Sequence, residues 1–202
     1  MRKRIGVICI LIGVLCILSA IGFGVYNRWE DKQAEEIAQD ILNDVQSIIE
    51  EPSMHQMLSD DMEKAPAEMA TVEVYGCDCI GILSIPVLDL ELPVLTDWNY
   101  LKLKKAPCHY YGSYFEKDFV IAAHNYKSHF GRLLELQAGD MVVFTDVNGM
   151  AHYYEVVLLE TLPQNATKEM ITSGFDLSLY TCTPGGSNRV TVRCNAAQDS
   201  NR

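Results

Sequence analysis

Residues 177–194 read Leu-Ser-Leu-Tyr-Thr-Cys-Thr-Pro-Gly-Gly-Ser-Asn-Arg-Val-Thr-Val-Arg-Cys. Two short runs of branched and aromatic residues, Leu177–Thr181 and Arg189–Cys194, flank a turn built on Pro184-Gly185-Gly186. Apolar runs bounded in this way by Pro and Gly are the mark of paired strands. Cys182 stands where the first run gives way to the turn. A strand end suits a nucleophile, because the sheet fixes the backbone while the side chain meets solvent. The thiolate is the reactive form of cysteine, and nearby positive charge lowers its pKa. If the two runs pair antiparallel, Arg189 lies close to Cys182, and Arg193 faces the same side farther from the turn. Arginine stays charged and offers forked donors to a developing oxyanion. On these residues alone, a buried structural cysteine fits position 182 equally well.

Working outward, similar runs recur from residue 71 onward. Thr71–Tyr75, Gly81–Ile85, Leu90–Val94, Phe119–Ala122, Met141–Thr145 and Ala151–Leu159 read as further strands, separated by turn formers such as Pro86 and Asp146-Val-Asn148-Gly149. Short helices are expected around Tyr100–Lys105, Gly131–Leu136 and Lys168–Thr172. Many short strands with few helices predict a mostly β fold, a closed or nearly closed β-barrel of about eight strands. His124 ends the run Phe119–Ala123, also at a passage from strand to loop. Cysteine chemistry needs an acid–base partner, and histidine is the usual one. His129, in the same loop, is the rival; His55 lies upstream of the strand runs, His109 in a loop and His152 in a strand.

The N-terminal part has a different character. Residues 5–26, IGVICILIGVLCILSAIGFGVY, carry no charge, and a membrane-spanning helix needs about 20 such residues. Arg2, Lys3 and Arg4 precede the run, while Arg28 is followed by Glu30 and Asp31. The positive-inside rule puts the N-terminus in the cytoplasm and the rest outside a cell membrane crossed once. A cleaved signal peptide would need a small-x-small site, but Ala20 and Gly22 lie inside the apolar run. Cys9 and Cys16 lack the small preceding residue of a lipoprotein site. A retained anchor is therefore expected, with its helix among membrane lipids. Residues 27–70 are acidic, with Ile37, Ile41, Val45 and Ile48 at helical steps. They predict a helical stalk ending near Pro52 and then a polar linker holding Met54, Met57, Met62, Pro66 and Met69. The expected plan is a cytoplasmic tail at 1–4, an anchor at 5–26, a stalk and linker at 27–70, and a catalytic domain at 71–202.

The length of 202 residues suits one domain with an appendage. A formal net charge of -11 excludes the basic field that nucleic-acid binding needs. Five of the seven cysteines, Cys77, Cys79, Cys108, Cys182 and Cys194, lie beyond the apolar run. That odd number leaves at least one free thiol or a bond to another molecule. Cys77 and Cys79 with Cys108-His109 fit the usual spacing of zinc ligands poorly, so neither metal nor cofactor is expected.

Taken in order, these pieces resemble a sortase across nearly all of residues 78–194. Ser178-Leu-Tyr-Thr-Cys182 and Arg189 resemble the family's Thr-Leu-x-Thr-Cys strand and following Arg, with serine in place of threonine. Gly81-Ile-Leu-Ser-Ile-Pro86 with Pro93-Val94, Val120-Ile-Ala-Ala-His124-Asn125, and Phe130 with Leu133, Leu136 and Gly139-Asp140 resemble further family patterns, as does the aromatic strand at Tyr153-Tyr154-Glu-Val156. The resemblance implies a cysteine transpeptidase with Cys182 as nucleophile, His124 as proton donor and acceptor, Arg189 steadying oxyanion or substrate, and Thr181 helping to position the substrate. It also implies a Leu-Pro-x-Thr-Gly-like sorting signal on surface proteins and an amine acceptor on a cell-wall precursor or a pilin lysine.

Protein anchoring is the first expectation, with pilus assembly next. Residues 71–80 carry nothing like the Asp-Pro-aromatic lid of pilus-building sortases, though Cys-Thr-Pro resembles those enzymes. His124-Asn125 with Phe130-Gly131 is similar to the class associated with haem-uptake proteins, but the short Cys182-to-Arg189 loop leaves little room for that class's inserted helix. The loop carboxylates behind the family's calcium response have no placed counterparts. A cysteine peptidase would use the same residues, and an inactive surface-binding domain is the remaining alternative.

Overall fold

In the computed structural model, which describes residues 2–50 and 68–197, the strand runs pair into a ring. The strands are β1 (Val72–Val74), β2 (Cys77–Ile85), β3 (Leu90–Leu95), β4 (Cys108–Tyr111), β5 (Phe119–Ala122), β6 (Met141–Asp146), β7 (Ala151–Pro163), β8 (Leu177–Cys182) and β9 (Asn188–Ala196). Their order is β2-β3-β4-β5-β8-β9-β7-β6, and β6 pairs back onto β2, so eight strands close a barrel. Closure pairs both edges of the ring and removes the open rows of N–H and C=O groups that invite aggregation. β1 forms a hairpin on the Cys77–Cys79 end of β2, beyond the stretch that β6 covers. The sequence reading missed β4 and set His109 in a loop. That four-residue strand follows a proline, and His109 and Tyr110 on it are only half-buried.

Period-two alternation divides the apolar residues into two cores. Phe119, Ile121, Phe144, Leu177, Leu179 and Val192 fill the barrel. Val120, Ala122 and Tyr180 point the other way, into an outer core with Leu95, Cys108 and Met170. Fully burying side chains of this size stabilises by about 1.5–3 kcal/mol each.

The chain divides into two compact units, Met1–Gln33 and Ala34–Arg202. Residues 2–33 of the first lie within α1 (Arg2–Glu50), a helix long and apolar enough by length and composition to cross a membrane. The second begins well before residue 71, where the sequence suggests that the domain starts. From Ala34 onward α1 is part of the barrel's unit: Ile41, Leu42 and Val45 are buried in the outer core with Val74 and Cys77, and Ala38 packs with the inner one. The buried stripe also differs from the expected one, since Ile37 and Ile48 stay 41% and 42% exposed. Ala34 and Ala38 carry small side chains that let the helix backbone approach the barrel, and the stripe rotates to include them. The expected helix end near Pro52, His55 and Met54, Met57 and Met62 fall within 51–67, outside the described residues.

Short helices connect the strands. α2 (Tyr100–Leu103) is capped by Asn99, whose side chain accepts from the N–H groups of Leu101 and Lys102. A 3-10 turn covers Leu133–Glu135, and α3 (Thr167–Ile171) lies between β7 and β8.

Asp118, at the start of β5, pins the far end of the β7–β8 connection. Its Oδ1 accepts from the Ser173 N–H at 2.7 Å, the Ser173 hydroxyl at 2.7 Å and the Gly174 N–H at 2.9 Å. Partial burial pushes this carboxyl up, but those donors and Arg193 outweigh it and the net shift is downward. A carboxyl depressed in the fold adds stability above its unfolded pKa and loses it as pH falls through the folded value. Asp118→Asn is therefore expected to lower Tm at neutral pH, with the gap to wild type closing below about pH 4. Thermal melts across pH check this, and a gap independent of pH would contradict it.

Candidate active site

The hairpin at 177–194 forms as its sequence suggests. β8 and β9 pair antiparallel with Cys182 directly opposite Arg189 and Ser178 opposite Arg193. Directly opposed residues share a face, so Cys182 and Arg189 lie together on the outer surface, on the side that Tyr180 occupies. The turn between them is tight: the Thr183 N–H donates to Asn188 O at 3.0 Å, and the Gly186 N–H donates to Thr183 O at 2.8 Å. Gly185 and Gly186 have φ of +87° and +76°, which residues with a Cβ adopt only under strain. The Arg189 guanidinium is half-buried, with Nη1 donating to Gly186 O at 2.9 Å and Asn188 O at 3.1 Å. Cys182 is partly exposed and is a free thiol.

β5 runs parallel to β8, with Ala122 beside Tyr180. One step further, the Ala123 N–H donates to Tyr180 O at 3.1 Å, and the Thr181 hydroxyl donates to Ala123 O at 2.9 Å. These bonds carry His124 and Cys182 past the same end of adjacent strands. The loop after His124 closes on itself, since Phe130 N–H donates to His124 O at 3.1 Å and Gly131 N–H to Tyr126 O at 2.8 Å. A Cβ at Gly131 would stand 2.6 Å from Asn125 O and 2.7 Å from Tyr126 O, so this closure requires glycine. The His124 ring lies 4.9 Å from that of Tyr126, which is 5.5 Å from His129. His124 is half-buried, whereas the rival His129 is fully buried beneath the loop.

A family model described as a Sortase domain matches residues 83–197, more than half of the chain. The chain belongs to the sortase family. No curated protein matches it in sequence. Among solved structures it is similar to a Clostridium perfringens Sortase D5 transpeptidase, with a TM-score of 0.61, 16% identity and coverage of 81% of this chain and 99% of that one. Sortase C of Streptococcus pneumoniae aligns with a TM-score of 0.55 and 20% identity over 87% of this chain and 97% of its own. Sortase A of Corynebacterium diphtheriae aligns at 0.55 and 18% over 91% and 98%. At these identities the structural likeness establishes the fold, an eight-stranded sortase barrel with short helices.

Membership of the sortase family marks the protein as a cysteine transpeptidase, and the remaining candidates can be placed around its hairpin. Arg193 is not beside Cys182: it is 1% exposed, and its Nε donates to Glu160 Oε1 at 2.8 Å. Thr181, expected to help position substrate, is 3% exposed with its hydroxyl on Ala123 O. It therefore touches the strand that carries His124 rather than an open groove. Burial pushes the Cys79, Cys108 and Cys194 thiols up to about 12, which keeps them protonated and inert. Lys105 Nζ donates to Cys77 Sγ at 3.5 Å. The Cys77, Cys79 and Cys108-His109 set forms no metal-binding cluster among the described residues. His109 Nε2 is instead 2.8 Å from Gly112 O.

A cavity of 170 Å³ abuts the hairpin, lined by Trp98, Tyr110, Ala166, Met170, Tyr180 and Arg189 among others. Its aromatic wall is continuous: Trp98 meets Tyr110 edge-on at 6.0 Å, and Tyr110 meets Tyr180 edge-on at 5.3 Å. The sequence does not show this wall, because its aromatics come from the loop before α2, from the unrecognised β4 and from β8. A larger cavity of 430 Å³, between Lys117, His152 and Ala197, is lined by none of the catalytic candidates.

Proposed function

We propose that this sortase cleaves an Leu-Pro-x-Thr-Gly-like sorting signal through Cys182 and transfers the acyl group to an amine. The reading rests chiefly on the Cys182–Arg189 register beside the strand that delivers His124. The Cys182 thiolate forms an S–C bond to the threonine's carbonyl carbon, and the C=O π pair moves onto the oxygen, which takes the charge. The Arg189 guanidinium steadies that oxyanion or the donor backbone as it forms. Protonated His124 gives its proton to the departing amine as the C–N bond breaks, which leaves a thioester. An incoming amine then attacks the thioester, His124 takes its proton, and the thiolate is released. The aromatic cavity beside Arg189 receives the apolar part of the donor peptide.

The acceptor is a cell-wall precursor amine in this reading, which makes the product an anchored surface protein. The apolar part of α1 is a membrane anchor with Arg2, Lys3 and Arg4 on the cytoplasmic side and the barrel outside the cell, following the positive-inside rule.

The full-length chain in detergent micelles, given a panel of sorting peptides with triglycine or a pilin-like lysine peptide, is expected to form ligated products. Product with lysine alone would assign pilin polymerisation, and hydrolysis alone would assign a peptidase; no turnover of any peptide would overturn the reading. Arg189→Lys keeps the charge but loses the fork, and is expected to lower kcat/KM about tenfold or more, set against the 10²–10³ cost of removing an oxyanion donor outright. Activity equal to wild type would reduce Arg189 to a point charge.

A further inference from the structure

Arg193 sits away from the nucleophile, yet it is the most heavily engaged side chain on β9. Its guanidinium is 1% exposed and reaches four groups on three elements. Nε donates to Glu160 Oε1 on β7 at 2.8 Å, and Nη1 donates to Ser178 Oγ on β8 at 2.8 Å. Nη2 donates to Glu169 O at 2.8 Å and Nη1 to Met170 O at 3.4 Å. The guanidinium also stands 5.8 Å from the centre of the Phe175 ring.

Those two carbonyls belong to α3, a helix of five residues. A helix so short does not hold its own shape, because nucleation outweighs the few bonds gained. The carbonyls of its last turn also have no partner within the helix. Arg193 supplies that partner from the barrel side and is itself neutralised by Glu160, which offsets the cost of burying a charge. Asp118 fixes the same connection further along, at Ser173 and Gly174. Ala166, Thr167 and Met170, on and just before α3, line the cavity beside Arg189.

We propose that Arg193 is a positioning residue for acyl-donor binding: by gripping the end of α3 it holds the wall of the cavity next to Cys182. This rests on the reading of that cavity as the donor site. Lysine cannot replace it, since a single ammonium does not reach two carbonyls, a hydroxyl and a carboxylate at once.

The test compares wild type with Arg193→Lys and Glu160→Gln as full-length chains in detergent micelles. Backbone amide exchange over residues 166–172 is expected to rise about tenfold in Arg193→Lys, the effect of losing a bond to a charged group, while amides of β8 and β5 stay unchanged. The donor-peptide KM is expected to rise by about the same factor, with kcat, the acceptor KM and the rate of Cys182 alkylation by iodoacetamide each within twofold. Glu160→Gln shifts the same two quantities in the same direction by less, and decides the matter if Arg193→Lys does not fold. Unchanged exchange over 166–172, or a fall in kcat at constant donor KM, overturns the proposal. The exchange measurement needs no substrate. A protein that ligates no peptide but still shows the local rise therefore fails the functional reading and not the clamp.

Discussion

Cys182→Ala is expected to abolish ligation, with a loss of at least about 10⁵-fold in kcat, the scale on which removing a covalent nucleophile acts. Among the described residues of the barrel unit, Cys182 is the one cysteine that is not buried. Cys79, Cys108 and Cys194 are buried and held protonated, with values pushed up to about 12, and Cys77 is 4% exposed with Lys105 against its sulfur. Position 182 also tolerates the change, because a partly exposed side chain at a strand end supports little packing. The variant should therefore keep the wild-type Tm while losing all product by mass spectrometry. Activity above about one part in 10³ would move the nucleophile elsewhere.

His124→Ala and His129→Ala are expected to separate chemistry from support. Loss of a positioned acid–base group costs about 10²–10⁴-fold, and His124 is the half-buried histidine at the strand end beside Cys182. His129 has no exposed surface and packs against the Tyr126 ring. Its truncation leaves a cavity beneath the loop, so Tm should fall while kcat/KM at low temperature stays within about tenfold. Added imidazole should restore part of the activity of His124→Ala only. Intact activity in His124→Ala with a dead, well-folded His129→Ala would exchange the two roles.

Much of the fold could be read because local and tertiary signals agree. The run Phe119–Ala122 is apolar at every position, and it is a central strand buried on both sides. The hairpin at 177–194 is legible because Pro184-Gly-Gly leaves the chain only a turn there, and its register then fixes Arg189 opposite Cys182. The strand-end positions of Cys182, His124 and Arg189 were legible for the same reason, whereas the roles expected of them come from the resemblance to sortases and not from the strands.

Other parts of the fold carry too weak a periodicity to be legible in the sequence. β4 is four residues long, and its pairing with β3 rests on a single register, Leu95 with Cys108. The placement of α1 depends on Ala34 and Ala38, which carry little hydrophobic signal yet bury almost completely against the barrel unit. The sequence places Arg193 on the same face of β9 as Arg189, farther from the turn. Only the partners that β7, β8 and α3 bring to it, at long sequence separations, reveal its different position.

The most direct measurement is intact mass of the full-length chain after brief exposure to a Leu-Pro-x-Thr-Gly peptide without acceptor. A single adduct of the donor acyl group, mapped to Cys182 and discharged as ligated product on adding triglycine, is the predicted result. An adduct on another residue, or ligation with no thioester at any time in the reaction, would contradict the account.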